Sequence, residues 1–136
     1  MQLSGVHHLT AVSADAPGNV KFYTQLLGLR MVKKTVNQDD TSAYHLFYAD
    51  GLASPGSDIT FFDFPAAPEK RGNNTITRTG FRVAGQAALQ WWHERLKKAA
   101  VKINDTLFFR LATIHNLRFM TLLTERLREN RDGQGE

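Results

Sequence analysis

The sequence predicts an α+β fold built from two similar βαβββ modules, and two observations carry this prediction. Strand and helix patterns follow one another in the order strand, helix, three strands, and then, after a break, strand and helix again. The aromatic pair Phe22-Tyr23 of the first helix is also matched, 69 residues later, by Trp91-Trp92 of the second. A fixed offset of this kind is typical of repeated modules.

The elements of the first module follow from local patterns. Alternating side chains predict a strand over residues 3–13. Proline at position 17, shortly after Asp15, predicts the start of a helix, and Gly28 predicts its end, because glycine readily takes the left-handed backbone of a helix C-terminus. Three further strands are predicted over residues 29–36, 44–48 and 59–64.

The second module departs from this plan at its end. Residues 75–83 alternate as a strand, residues 86–100 have the periodicity of an amphipathic helix, and residues 101–109 can form a strand. Residues 113–130 contain no glycine or proline and space their apolar side chains as a helix does, which predicts a C-terminal helix in place of two strands.

We therefore expect one domain over residues 1–136, with a first module at about 1–66, a linker at about 65–74 and a second module at about 75–136. The linker is rich in proline, glycine and charged residues.

Composition narrows the class of protein. Apolar residues make up 42% and charged residues 22% of the 136 residues, as in ordinary globular domains. No apolar run approaches the roughly 20 residues that span a bilayer, and no secretion signal is visible, so we expect a cytoplasmic protein without a membrane partner. The net charge of +4 comes from scattered basic residues, which argues against nucleic acid binding. The absence of cysteine excludes disulfides and thiolate metal sites.

Several short motifs, taken in order, resemble the vicinal-oxygen-chelate superfamily of glyoxalases and extradiol ring-cleaving dioxygenases. Within it, the hydroquinone-type ring-cleaving dioxygenases are the most similar group. The resemblance covers about residues 3–100. It implies paired βαβββ modules curved around a divalent metal, Fe(II) or Mn(II), that chelates two neighbouring substrate oxygens. The motifs lie at residues 5–10, 22–24, 27–30, 32–37, 44–48 and 55–62.

The same resemblance implies the site residues. His8 matches the strand histidine that binds the metal, and His7 and Thr10 match positions that line or support the site. Glu125 is the candidate carboxylate ligand, because it lies near the place where a module-ending strand would carry a glutamate. Judged by alternation alone, His8 is also consistent with a half-buried strand histidine that makes one hydrogen bond.

Other residues leave the ligand set incomplete. The position equivalent to His8 in the second module is Thr77 or Arg78, and neither is a suitable metal ligand. The predicted fourth strand offers Thr60 and Asp63 where a glyoxalase-type lyase would need a glutamate. His45 is interpreted as a packed, hydrogen-bonded strand histidine.

Two functions are compatible with these residues. The first is the metal-site half of a ring-cleaving dioxygenase for a hydroquinone or catechol, completed in a homo-oligomer or by a partner. The second is a non-catalytic module that binds a small aromatic ligand or dimerises. The adjacent Trp91 and Trp92 favour association, since one of them must lie outside the buried stripe of its helix.

Overall fold

The computed structural model describes residues 2–67, 79–101 and 118–122. The chain divides into two compact units, Met1–Ala67 and Pro68–Glu136, and each is described by itself.

The first unit is a four-stranded sheet with one helical crossover, as the order of patterns predicted. The strands lie in the spatial order β1-β4-β3-β2; β1 and β4 are parallel and the other pairs antiparallel. Between β1 and β2 the helix α1 continues directly as a π-helical segment. The bounds are β1 His8–Ser13, α1 Ala16–Val20, π-helical segment Lys21–Leu26, β2 Arg30–Val36, β3 Tyr44–Ala49 and β4 Asp58–Asp63.

The first strand is shorter than predicted. It begins at His8, where pairing with Asp58 of β4 begins, and not at position 3. Leu3 and Val6 precede it as exposed residues outside the sheet. Alternation in the sequence extends further than the partner strand, so the pairing sets the boundary.

The helical crossover starts and stops where the sequence signals lie. The Asp15 carboxylate caps α1 by accepting a hydrogen bond from the Gly18 amide at 2.9 Å, and proline occupies the first turn. The Leu27 amide donates to the Phe22 carbonyl at 3.0 Å, a wider turn than an α-helix makes. Gly28, with a φ of 70°, then leaves the helix.

The core lies between this crossover and one face of the sheet. Tyr23 of the π-helical segment stacks on Tyr48 at 5.1 Å and meets Phe61 at 4.8 Å between ring centroids. Leu46 and Ile59 are buried on the same face, since side chains alternate along each strand. The crossover is therefore fixed to β3 and β4 by aromatic packing.

A hydrogen bond also joins the crossover to the sheet. Tyr48 is completely buried, and its hydroxyl donates to Asn19 Oδ1 at 2.8 Å. Burial raises the pKa of Tyr48 to about 12. Burial, and to a smaller extent the neighbouring Tyr48, raises the pKa of Tyr23 as well.

The second unit contains β5 (Thr79–Val83), α2 (Gln86–Lys98) and β6 (Arg118–Leu122), with β5 and β6 antiparallel. The strand predicted over 75–83 is confirmed for its described residues, 79–83, and the helix predicted over 86–100 is confirmed but ends at Lys98. Leu89 and Leu96 are the buried residues of α2.

The predicted C-terminal helix is wrong for residues 118–122, which form β6. The helical spacing of apolar residues in this segment is a local signal. Pairing with β5 decides the structure instead, because tertiary contacts override weak local propensities. Residues 113–117 and 123–130 of the predicted helix lie outside the described residues, as does the strand predicted over 101–109 from residue 102 onwards.

One tryptophan faces away from the buried side of α2, as expected. Trp91 is 56% exposed, and its ring meets that of Trp92 edge-on at 4.9 Å. The Arg95 guanidinium lies 5.3 Å from the centroid of the Trp91 ring.

Within the described parts of the chain, no helix is long and apolar enough to cross a membrane.

Candidate functional site

The face of the first unit's sheet opposite the helical crossover carries the candidate site. Cross-strand partners share a face, and Leu46, Tyr48, Ile59 and Phe61 occupy the crossover side. The alternate residues therefore lie on the other side, here called the site face. Its members are His8, Thr10, Val12, Asp58, Thr60, Phe62, His45, Phe47, Lys33 and Thr35.

His8 is the first residue of β1 and is exposed. Its Nδ1 lies 2.8 Å from Nδ1 of His7, and the two rings meet edge-on with centroids 5.0 Å apart. One nitrogen of this pair donates and the other accepts. When His8 is the donor, its Nε2 carries a lone pair, which is the form of imidazole that binds a metal.

His7 is thus placed beside His8 although it precedes the strand. A hydrogen bond to the second ring nitrogen is the usual way in which a metal-binding histidine is oriented. Strict alternation along the chain would put His7 on the opposite face from Thr10, yet the hydrogen bond shows that the His7 ring reaches its neighbour His8.

Thr10 lies two residues beyond His8 on the site face. Its Oγ1 is 2.9 Å from Oγ1 of Thr60 on β4, so one hydroxyl donates to the other. Thr60 is completely buried, whereas Thr10 is exposed. The pair fixes the Thr10 hydroxyl beside the metal-ligand candidate and joins the two parallel strands.

Three rings form a second group on this face, here called the aromatic cluster: His45, Phe47 and Phe62. The His45 ring lies 4.0 Å from Phe47 and 3.9 Å from Phe62, the latter stacked at 29°. The packing predicted for His45 is present, but its Nε2 is buried and has no hydrogen-bond partner within the described residues. Burial is the main cause that lowers the pKa of His45, followed by the nearby charges of His8 and Lys33.

Sequence reasoning overlooked this cluster. His45 and Phe47 alternate in one strand, which was a visible signal, but Phe62 joins them only through the pairing of β3 with β4. Asp58 was overlooked for the same reason: it pairs with His8 across β1 and β4 and places a carboxylate on the site face.

The described residues supply only part of a metal site. They contain no group of three or more histidine, cysteine, aspartate or glutamate side chains placed to hold one ion. His8 fits one ligand position by its exposure and by the engagement of its Nδ1. Glu125, Thr77 and Arg78 lie outside the described residues.

Comparison with known proteins identifies the family. The sequence profile of the Glyoxalase/Bleomycin resistance protein/Dioxygenase superfamily matches residues 5–111. The chain belongs to this superfamily. Divalent metals are typical of the glyoxalase/dioxygenase superfamily, and one structural neighbour is a complex with Mn(II).

Relatives in the superfamily include ring-cleaving dioxygenases by name. The chain is 48% identical over 102 residues to MhqA of Bacillus subtilis, whose name places it among the ring-cleaving dioxygenases; the match covers 74% of the chain and 32% of MhqA. It is 35% identical over 107 residues to the chlorohydroquinone/hydroquinone 1,2-dioxygenase of Sphingobium indicum, covering 76% and 33% of the two chains. The chain thus spans about a third of the length of these curated relatives.

Solved structures agree on the fold. A crystal structure from Bacillus subtilis, named as a dioxygenase, matches with a TM-score of 0.62 and 37% identity, covering 70% of this chain and 31% of that one. The fosfomycin resistance protein FosX of Listeria monocytogenes matches with a TM-score of 0.58 at 16% identity, covering 77% of each chain. At that identity FosX supports the glyoxalase/dioxygenase fold alone.

Proposed function

We propose that the chain forms the metal-site module of a ring-cleaving dioxygenase that acts on a hydroquinone or catechol, with His8 as one ligand to Fe(II) or Mn(II). The observation that carries the proposal is the exposed His8 ring, whose Nδ1 is engaged by His7. The similarity to relatives that are named as ring-cleaving dioxygenases supports ring cleavage as the reaction. In this proposal the protein acts in the cytoplasm.

Each site residue has a distinct role in this proposal. A divalent ion in such a site supplies Lewis-acid polarisation of the substrate oxygens. His7 holds the His8 ring in the tautomer that exposes the Nε2 lone pair. The Thr10 hydroxyl, held by Thr60, is positioned to donate to or accept from a substrate oxygen on the site face.

The remaining ligands come from outside the described residues. Glu125 is the proposed carboxylate ligand. A second copy of the chain or a partner chain completes the ligand set in this proposal, because the position equivalent to His8 in the second module is Thr77 or Arg78 and neither suits a metal. The exposed ring of Trp91 is an apolar contact available for such an association.

Anaerobic metal loading followed by oxygen uptake tests this function. We expect the purified chain to retain Fe(II) or Mn(II) and to consume oxygen when hydroquinone is added. His8→Ala should lose both properties. His7→Ala should weaken metal affinity by about 10–100-fold, as loss of a partner that orients a ligand does. His93→Ala, in the partly exposed middle of α2, is the matched control and should behave as wild type. Equal metal content in wild type and His8→Ala would refute the proposal.

A second candidate is a non-catalytic module that binds a small aromatic molecule or dimerises. It is favoured by the incomplete ligand set within the described residues. Saturable hydroquinone binding without metal retention and without oxygen uptake would support this candidate over the dioxygenase.

A further inference from the structure

We propose that two copies of the chain associate through β1, whose outer edges pair antiparallel about a two-fold axis at Thr10. The proposal rests on the proposed function, in which a second copy or a partner chain completes the ligand set. It commits to the second copy as the occupant and names the surface that receives it.

Strand β1 lies at one edge of the four-stranded sheet. Among the described strands it pairs with β4 alone, so one row of its backbone N–H and C=O groups faces outward. The side chains of residues 8–12 are all exposed, and Ser13 is the one buried residue of the strand. An edge of this kind is a template for a further strand.

The two edges of the sheet differ in how they are protected. The opposite edge strand, β2, carries exposed cationic side chains at Arg30, Lys33 and Lys34, and its pairing register with β3 shifts between Met31 and Lys33. Charged side chains, lysine above all, and bulges are the devices that keep edge strands from pairing with other chains. Strand β1 has a regular register over its whole length and no Lys, Arg, Asp or Glu. It is therefore the edge of this sheet that accepts a partner strand.

The same criteria favour a second β1 as that partner. Strands β3 and β4 are paired on both sides, and the other described strands all carry cations: three in β2, Arg82 in β5 and Arg118 in β6. Two β1 strands that pair antiparallel form a closed, self-complementary interface, whereas β1 against β2 of another copy would build an open-ended chain of molecules.

The exposed residues fix the register of this pairing. In a continuous sheet, residues directly opposite each other share a face, so the two-fold axis must pass through a residue. The exposed span 8–12 is centred on Thr10, which then lies opposite Thr10 of the second copy; Thr–Thr pairs across strands are stabilising. Leu9, now 38% exposed, comes to lie opposite Ala11 of the second copy.

This register brings the second copy to the candidate metal site. His8 lies opposite Val12 of the second copy, and the two site faces become one surface of eight strands. Val12 is now 46% exposed, so the pairing covers an apolar side chain that the single chain leaves in water. Side chains of the second copy thus come within reach of an ion on His8.

Sedimentation equilibrium of the full chain in EDTA tests the association without metal. Wild type should form a dimer of twice the chain mass. Val12→Lys puts a cation into the pairing on each side of the axis and should raise the dimer Kd by at least about tenfold. Val36→Lys is the matched control, because Val36 is 42% exposed but lies on β2; it should dimerise as wild type.

Cross-linking tests the register, since the chain has no cysteine of its own. In Thr10→Cys the two introduced residues lie directly opposite, with Cα atoms roughly 4.5–5.5 Å apart, within the range of a disulfide. In Ala11→Cys they are diagonal neighbours at about 7–8 Å, beyond that range. Mild oxidation should therefore link Thr10→Cys into dimers much faster than Ala11→Cys.

The outcomes separate the β1 dimer from the dioxygenase proposal. A dimer that retains no metal would sink the proposed function and leave the β1 interface intact. The β1 interface is overturned by a wild-type chain that stays monomeric up to millimolar concentration. It is overturned equally by a Val12→Lys dimer as tight as wild type, or by equal cross-linking of Thr10→Cys and Ala11→Cys. The wild-type mass and the cross-linking rates decide the matter even when Val12→Lys fails to fold.

Discussion

Because Thr10 and Thr60 share a hydrogen bond but differ in burial, we expect their replacements to lower stability by different amounts. The two hydroxyls are 2.9 Å apart, but Thr60 is 0% exposed and Thr10 is exposed. Replacing Thr10 with valine removes the partner of a buried hydroxyl. Replacing Thr60 with valine removes the buried hydroxyl itself, and Thr10 can then bond to water.

The magnitudes follow from this difference. Thr10→Val should lower the free energy of unfolding by about 1–3 kcal/mol, the cost of a buried polar group left without a partner. Thr60→Val should cost no more than about 0.5–1.5 kcal/mol, the net value of one ordinary hydrogen bond. Thr10→Val combined with Thr60→Val should be less destabilising than Thr10→Val alone, because no unpaired hydroxyl remains.

Urea unfolding at 25 °C measures these differences. With a slope of about 1–2 kcal/mol/M for a small protein, Thr10→Val should shift the midpoint downward by roughly 0.5–3 M, and by more than Thr60→Val does. Unchanged slopes would show that the unfolded state is unaffected. A larger loss from Thr60→Val than from Thr10→Val would refute the reasoning, and so would a double variant less stable than either single one.

Two further predictions concern the fold around the site. Gly56→Ala should destabilise the protein more than Gly28→Ala. Both glycines have a positive φ, which costs any other residue roughly 1–2 kcal/mol of stability. Only at Gly56 would the new Cβ also lie 2.9 Å from the Val6 carbonyl oxygen. Equal losses of stability for the two variants in thermal unfolding would contradict this. Tyr48 stabilises the fold fully below its unfolded pKa of about 10 and loses that contribution as pH rises through its folded pKa of about 12. Tyr48→Phe should therefore lower the free energy of unfolding by about 1 kcal/mol at pH 7, because the hydrogen bond to Asn19 is lost. The variant should also lose less stability than wild type as the pH rises above about 10. An equal alkaline loss of stability in both proteins would contradict this prediction.

Much of the first unit could be predicted because its signals are local. Pro17 and Gly28 mark the ends of the crossover through their own backbone preferences, and alternation marks the strands. His8 could be singled out from its motif, and the structure places it on the same sheet face as Thr10.

The other features of the fold and of the candidate site depend on which strands pair. Arg118–Leu122 has helical spacing in the sequence, yet it forms β6 because β5 is its partner. The aromatic cluster and Asp58 likewise emerge from the register of β4 with its neighbours. Such contacts join residues far apart in sequence, and no local pattern specifies them.

The central claim is that His8 binds a divalent metal, and paramagnetic broadening by Mn(II) tests it most directly. When Mn(II) is titrated into the full chain, we expect the ring signals of His8 to broaden first, those of its neighbour His7 to follow, and those of His93 to remain sharp. His8→Ala should abolish this selective effect. Equal broadening of His8 and His93, or a sharp His8 signal at saturating Mn(II), would contradict the claim.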